Sequence, residues 1–590
     1  MNSQASTWRF SILGGILFSL PVLIVLQMVR IQVNPEWVKE FLVAKQFWSQ
    51  VPRTIEPARG QIYDRRGNLM AGNKTVYEVG VELAQVSNPR TIAEVLNAVL
   101  NVDYADVLAA ASITPSNNAV YAVIKDGVTP EEIEKLKALM DQVDLTYANS
   151  KTDNPPSMSG VVYHAHLART YPEKSLASNL LGFVLRGGVG VYGVEEKYND
   201  LLAGTSRTVM VPLDPNRVQE LPYVPDGATL ILTIDREIQR SMEELLDDSI
   251  EETGSDSGTI VVLDPKTGEL LALATTPRLD LNQFEKYEEV FTKGTPFNRG
   301  ASGSYEPGSV YKVLTMASAL DAGAVTPDTV FIDTGVIEIG GLRIYNWNLG
   351  AWGPQDMQGC LQHSLNVCLA WVATQLGRDK FYQYMQEFGI GHLTGIDLGG
   401  EVSGRLKAPG DSDWYDADLG TNAFGQGVSA TPVQMAMAIA AVANDGKVMV
   451  PHVVRSIVNE GFQQDIGQRV LSVPIREETA DLLSEILARS LETESSDALV
   501  TGYRVAGKTG TAEIPTPLGY TTNETNASFV GWGPVDDPQF LIYIWLERPS
   551  TSPWGSVVAA PVFREAVEEL VILLNLPPDD VRLQLSKSTP

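Results

Sequence analysis

The sequence predicts an α+β protein: an antiparallel sheet assembled from strands far apart in the chain, flanked by helices and joined to a helical subdomain, with a smaller α+β region before it. Three observations predict this. Apolar strand pairs stand at both ends of residues 226–578, with helix-rich sequence between them. Residues 30–225 mix short strand-like pieces with capped amphipathic helices. Ahead of both, residues 10–29 form a nearly uncharged stretch, close to the roughly 20 residues that a helix needs to cross a bilayer.

Taken in order, Arg9 and Arg30 bracket the apolar stretch, and no small-x-small cleavage site follows it. An uncleaved anchor is expected, with residues 1–9 as a cytoplasmic tail and everything after Arg30 exported. Residues 31–53, with Trp37, Phe41 and Trp48, read as a membrane-proximal stalk. Asp64-Arg65-Arg66-Gly67-Asn68 is a turn signal between two strand-like pieces. An α+β insert follows at about residues 86–159: Ile92, Val95, Leu96, Val99 and Leu100 fall at helical spacing, and Thr129-Pro130-Glu131-Glu132 opens a capped helix. The block from Arg169 to Gly182 is read as a helix before a glycine-rich turn.

From residue 226 the largest unit begins. Residues 229–233 read as a strand, 235–252 as an amphipathic helix, and 259–274 as two strands around a Pro/Gly turn. Residues 527–532 and 540–546 form another such pair, and 561–576 a final helix. The tail at 579–590 is polar and read as loose.

Composition narrows the function. The 590 residues exceed one ordinary domain, and 44% hydrophobic with 20% charged is a globular composition. With 72 acidic against 44 basic residues the net charge is -28, which sets nucleic-acid binding aside. Cys360 and Cys368 would lie more than two turns apart on a helix, too far for a disulfide, so they are read as small buried hydrophobes.

One motif carries chemistry. Ser309-Val310-Tyr311-Lys312 opens a run to Leu320 that reads as a helix, so hydroxyl and amine share a face with Cβ atoms about 5–6 Å apart. That is the geometry a serine nucleophile needs from a lysine base. Ser364-Leu365-Asn366 and Lys508-Thr509-Gly510-Thr511 follow in one domain. Decoys exist: Ser116-Asn117-Asn118 and Lys266-Thr267-Gly268 match the same short patterns, but both precede Ser309, the latter at a hairpin tip.

With these motifs the chain resembles a class B penicillin-binding protein, the membrane-anchored D,D-transpeptidase of bacterial cell-wall synthesis. Tyr305-Glu306-Pro307-Gly308, Phe424 to Gln434, Ala527 to Gly531 and Ala559 to Phe563 resemble the family's catalytic domain. Arg59-Gly60, Asp64 to Gly67, Arg169 to Pro172 and Gly193-Val194-Glu195 resemble its non-catalytic pedestal. The resemblance implies a penicillin-binding transpeptidase, serine β-lactamase-like fold for residues 226–578, on an elongated dimerisation-type pedestal at 30–225. It implies that Ser309 is the nucleophile, Lys312 its base and Ser364 a proton relay, with Asn366 holding the substrate amide. The oxyanion hole would be the N–H groups of Ser309 and Thr511, and Lys508, Thr509 and Thr511 would receive the terminal carboxylate of a D-Ala-D-Ala stem peptide or a β-lactam.

Lys312 must be partly buried or beside another cation, Lys508, to act as a base near neutrality. Gly510 is expected to let a substrate backbone approach the edge strand. No cofactor or metal enters this reading. The partners implied are peptidoglycan stem peptides, β-lactams and a SEDS-type glycan polymerase in the membrane, since no segment before Pro225 reads as a glycosyltransferase. Competing readings are a β-lactam-hydrolysing or sensing serine enzyme, and a catalytically silent cell-wall scaffold. Glu513 and the Pro-rich stretch to Glu524 flank the predicted cleft, as do Trp347 and Trp352. Glu195 is read as a pedestal residue, and His363 does not face its neighbour Ser364 on a helix.

Overall fold

The computed structural model describes residues 4–33, 39, 50–116, 119–148, 150–212, 224–516, 519–520 and 524–588. Packing divides the chain into two compact units, Met1–Pro57 with Gly204–Asp226, and Ala58–Ala203 with Gly227–Pro590. In the first, the helix Gln4–Val33 holds the apolar stretch Phe10–Arg30, of mean hydropathy 2.4 and unburied, which by length and composition suits a bilayer crossing. The strand Gln50–Ile55 pairs antiparallel with Arg207–Pro212. The stalk residues Trp37, Phe41 and Trp48 fall outside the described residues.

The second unit is built on a five-stranded antiparallel sheet in the order Leu270–Thr275, Ser257–Leu263, Phe540–Glu547, Thr525–Gly533, Ala506–Glu513. Side chains alternate across a strand, and both faces of this sheet are buried. Leu541, Tyr543 and Trp545 join a core with Val313, Leu314 and Met316 of the helix Lys312–Asp321. Phe540, Ile542, Ile544 and Leu546 point the other way, onto Ile238, Met242 and Leu246 of the helix Arg236–Thr253 and Phe563, Val567 and Leu570 of the helix Ala560–Leu573. The helical subdomain is therefore fastened to one face and the terminal helices to the other.

A second sheet crosses the expected boundary between pedestal and catalytic domain. Its order is Phe462–Asp465, Val454–Asn459, Thr229–Leu232, Ile62–Tyr63, Leu69–Glu82, Tyr121–Val128, with Val161–Thr170 also on Leu69–Glu82. Ile62 and Tyr63 pair parallel with Leu230 and Ile231. The predicted turn at Asp64 forms, and buried Asp64 accepts hydrogen bonds from the N–H groups of Arg66 (2.9 Å), Asn68 (2.7 Å) and Arg236 (3.1 Å). The insert is α+β as read, its helix Pro130–Tyr147 closed by reciprocal bonds between Thr129 and Glu132.

Two elements differ from the sequence reading. Arg169 and Thr170 end the long strand Val161–Thr170, and only Ser178–Leu181 is helical, because the pairing of Thr170 with Gly72 and of Arg169 with Asn73 extends the chain. The tail is a helix, Asp579–Ser588, rather than loose: Arg582 binds Asp536 and Asp579, and Asp579 accepts the Arg504 N–H at 2.6 Å.

Candidate active site

Gly308–Tyr311 forms one 3-10 turn running into the helix Lys312–Asp321. Residues three apart eclipse in such a turn, so half-buried Ser309 and fully buried Lys312 stack on one face. Gly308 has φ 61, and a Cβ there would lie 2.8 Å from Thr511 O and 2.9 Å from Ala512 Cβ. Glycine thus lets the turn lie against the edge strand Ala506–Glu513. Behind it, Tyr305 exchanges backbone hydrogen bonds with Ala430 and stacks on Trp545 at 4.2 Å, while Gly308 N–H donates to Gly425 O at 3.1 Å. The sequence segments around Tyr305 and Phe424 meet here.

Lys312 Nζ donates to Ser364 O (2.6 Å), Ser364 Oγ (3.1 Å) and Asn366 Oδ1 (2.8 Å). Two shapes of backbone make this possible. The helix Met357–Gln362 stops, Ser364 takes φ 52, and a new helix Asn366–Leu376 begins. A non-glycine residue in this region is strained, and here the strain turns both oxygens of Ser364 toward one amine. The same break corrects the reading of the cysteines. The chain folds back, the Cα atoms of Cys360 and Cys368 come to 6.0 Å, and the two form a disulfide that brackets Ser364-Leu365-Asn366. A continuous helix was the wrong premise; two cysteines in a chain expected to be exported were the signal available.

Burial pushes the Lys312 amine well below its ordinary range, and the charge of Lys508 lowers it further. Lys508 lies on the edge strand, 5% exposed, and burial brings it down to about 8 against an opposing pull from Glu494. Lys508 and Gly510 are buried, whereas Thr509 and Thr511, two residues apart, share the half-buried face. Thr511 Oγ1 accepts the Gly555 N–H at 3.0 Å. Gly510 has a packing reason not foreseen: a Cβ would sit 2.1 Å from Ser528 Oγ and 2.9 Å from Val310 Cγ1. Its bareness admits the turn that carries Ser309.

The remaining candidates separate cleanly. Trp347 is half exposed, donates its indole N–H to His363 O at 3.2 Å and meets Trp554 edge-on at 5.4 Å. Trp352 stacks on the His363 ring at 4.2 Å, and His363 Nδ1 lies 3.6 Å from Glu494 Oε1. Glu195 is fully buried between Arg59 and Arg169. Lys266 is exposed and paired with Asp537 at its hairpin tip, and Asn117 and Asn118 lie outside the described residues. Glu513 is exposed; from the stretch beyond it, Tyr520 donates to Glu306 Oε2 at 2.7 Å, while residues 517–518 and 521–523 lie outside the described residues. Neither Glu494 nor Tyr520 belongs to a motif, and no spacing signal marked them.

A half-buried serine eclipsed with a buried lysine whose proton is disfavoured, beside an edge strand that carries a second buried lysine, is the arrangement of a serine acyl-transfer enzyme. Residues 258–568 match the penicillin binding protein transpeptidase domain, and residues 54–221 the penicillin-binding protein dimerisation domain. The chain belongs to the penicillin-binding protein transpeptidase family. It is 31% identical to stage V sporulation protein D of Bacillus subtilis, over 90% of this chain and 80% of that one. It is 27% identical to the probable peptidoglycan D,D-transpeptidase PbpC of Pseudomonas aeruginosa, over 99% and 98%. Penicillin binding protein 2X from Streptococcus thermophilus shares the fold, with a TM-score of 0.71 over 88% of this chain and 80% of that one at 23% identity.

Proposed function

We propose that this D,D-transpeptidase cross-links peptidoglycan through an acyl-enzyme on Ser309. Lys312 Nζ takes the Ser309 Oγ proton as Oγ bonds to the carbonyl carbon between the two terminal D-alanines of a donor peptide. The C–N bond breaks, and the proton passes through Ser364 Oγ to the departing D-Ala amine. An amine of a neighbouring stem peptide then attacks the ester, and Ser309 leaves with its proton restored. Asn366 orients the amide, Lys508 with Thr509 and Thr511 receives the terminal carboxylate, and the N–H groups of Ser309 and Thr511 stabilise the tetrahedral oxyanion. Donors of this kind are worth about 3–4 kcal/mol each.

The observation that carries this reading is Lys312: fully buried, one turn from Ser309, and hydrogen-bonded among the described residues to uncharged oxygens. A β-lactam presents the same carbonyl and carboxylate and would acylate Ser309. The reading includes a single anchor at residues 10–29, the catalytic domain on the extracytoplasmic side, and a SEDS-type polymerase as supplier of glycan strands. Labelling with a fluorescent penicillin tests it: the parent should label covalently and Ser309→Ala should not. Undiminished label in Ser309→Ala would overturn the assignment.

A further inference from the structure

Ser364 occupies a backbone position that a helix end ordinarily gives to glycine: its φ is 52, and the Leu365 N–H closes back on Cys360 O at 3.0 Å. The helix that follows has no cap of its own. Leu365 precedes Asn366–Leu376 without a side-chain bond, and the Val367 N–H goes instead to Asn346 Oδ1 at 3.2 Å. Asn366 is tethered from the same place, its side-chain N–H donating to Tyr345 O at 3.1 Å. Local propensity therefore does little to keep this reversal in shape, and one covalent tie crosses it. Cys360 in the helix Met357–Gln362 and Cys368 in the first turn of Asn366–Leu376 are joined eight positions apart, both fully buried in the same core as Leu361, Leu365 and Leu369.

The bonds that hold Lys312 come from within the bracket: two from Ser364, at the turn, and one from Asn366, the first residue of the second helix. All three persist only while the two helices keep one angle. We propose that the Cys360–Cys368 disulfide is a positioning device that holds Ser364 and Asn366 on the Lys312 amine and so sets the rate of acylation. The inference rests on the reading in which Lys312 and Ser364 move the Ser309 proton. With the bond open, the contacts from Tyr345 and Asn346 still hold the second helix, but no covalent tie fixes the first helix against it. A displacement of about 1 Å in reacting groups can cost up to about 10²-fold in rate.

The test is the acylation rate of the full-length chain in detergent with a chromogenic cephalosporin, normalised to the sites that a fluorescent penicillin titrates. Cys360→Ala, Cys368→Ala and the double variant should each be slowed roughly tenfold, the double no more than either single, because one bond is lost in all three. In a Ser364→Ala background the double cysteine substitution should cost less than about threefold, since the hydroxyl that the bond positions is gone. The parent opened by a phosphine, its thiols counted after denaturation, should show the same loss and regain its rate on reoxidation. Losses that add across the two cysteines overturn the proposal, as does an opened parent that keeps its rate. So does an equal loss in the Ser364→Ala background, which is what a merely structural role would give. Ser309→Ala run alongside separates the failures. Acylation that survives in it refutes the Ser309 reading itself, whereas silence in it with unslowed cysteine variants refutes only the role of the disulfide.

Discussion

Glu195 and Lys312 are both fully buried charged-type side chains, and their surroundings differ in kind. Glu195 receives Arg59 Nε at 2.8 Å, Arg169 Nε at 2.7 Å and the Tyr171 hydroxyl at 3.4 Å. Among the described residues the Lys312 amine meets a carbonyl, a hydroxyl and an amide oxygen, with another cation acting on it. Opposite charges around Glu195 tie Arg59 and Arg169, 110 residues apart in the chain, to one buried carboxylate, which is a structural use of a buried charge. Burial and a like charge around Lys312 disfavour its proton, which is what the proposed role as a base requires. The difference also fits the reading of Glu195 as a pedestal residue, satisfied by two arginines.

The comparison is easiest to break at Lys312. Lys312→Met should lower the acylation rate by roughly 10²–10⁴-fold while the protein still folds, measured by stopped-flow acylation with circular dichroism as a folding control. A loss below tenfold would mean that the buried amine is structural after all. At the other pole, Glu195→Gln should cost about 3–5 kcal/mol of stability, because Arg59 and Arg169 are left buried without their counter-charge. Urea unfolding checks the cost, and acylation per folded molecule should stay at the parental rate. If that rate collapses instead, the two regions are not separable.

The smallest effect sharpens the catalytic side. Burial brings the Lys508 amine down to about 8, so the carboxylate recognition proposed for it is present below that pH and fades as the pH rises through it. Burial, and then the charge of Lys508, hold the Lys312 amine well below its ordinary range, which favours the neutral form that accepts a proton. Acylation by carboxylate-bearing β-lactams should therefore fall about tenfold from its plateau to pH 9. A profile that stays flat to pH 10 would show that the Lys508 charge is dispensable.

Much of this was legible because it is local. The stacking of Ser309 on Lys312 follows from a three-residue spacing, the strand pairs at 257–275 and 525–547 from apolar runs around turns, and the cap of Pro130–Tyr147 from four consecutive residues. The apolar span at Phe10–Arg30 is a matter of length and composition. Family resemblance supplied the pairing of the three motifs before any distance was known.

What the sequence by itself determined, then, is which groups are available and in what local order: a serine and a lysine on one face, a second lysine on a strand, an apolar stretch long enough to cross a bilayer. Only the tertiary structure decided their electrical state and their frame. The Lys312 amine is held by Ser364 and Asn366, more than fifty residues away in the chain, and its proton is further disfavoured by the charge of Lys508, nearly two hundred away. The Cys360–Cys368 disulfide depends on a left-handed Ser364 that breaks a helix where apolar spacing suggests none, and the sheet that unites Ile62–Tyr63 with Leu230–Ile231 depends on a parallel pairing that no local pattern announces. Spacing encodes neighbours along the chain. Desolvation and Coulomb interactions are set by neighbours in space, and those exist only once the chain has folded.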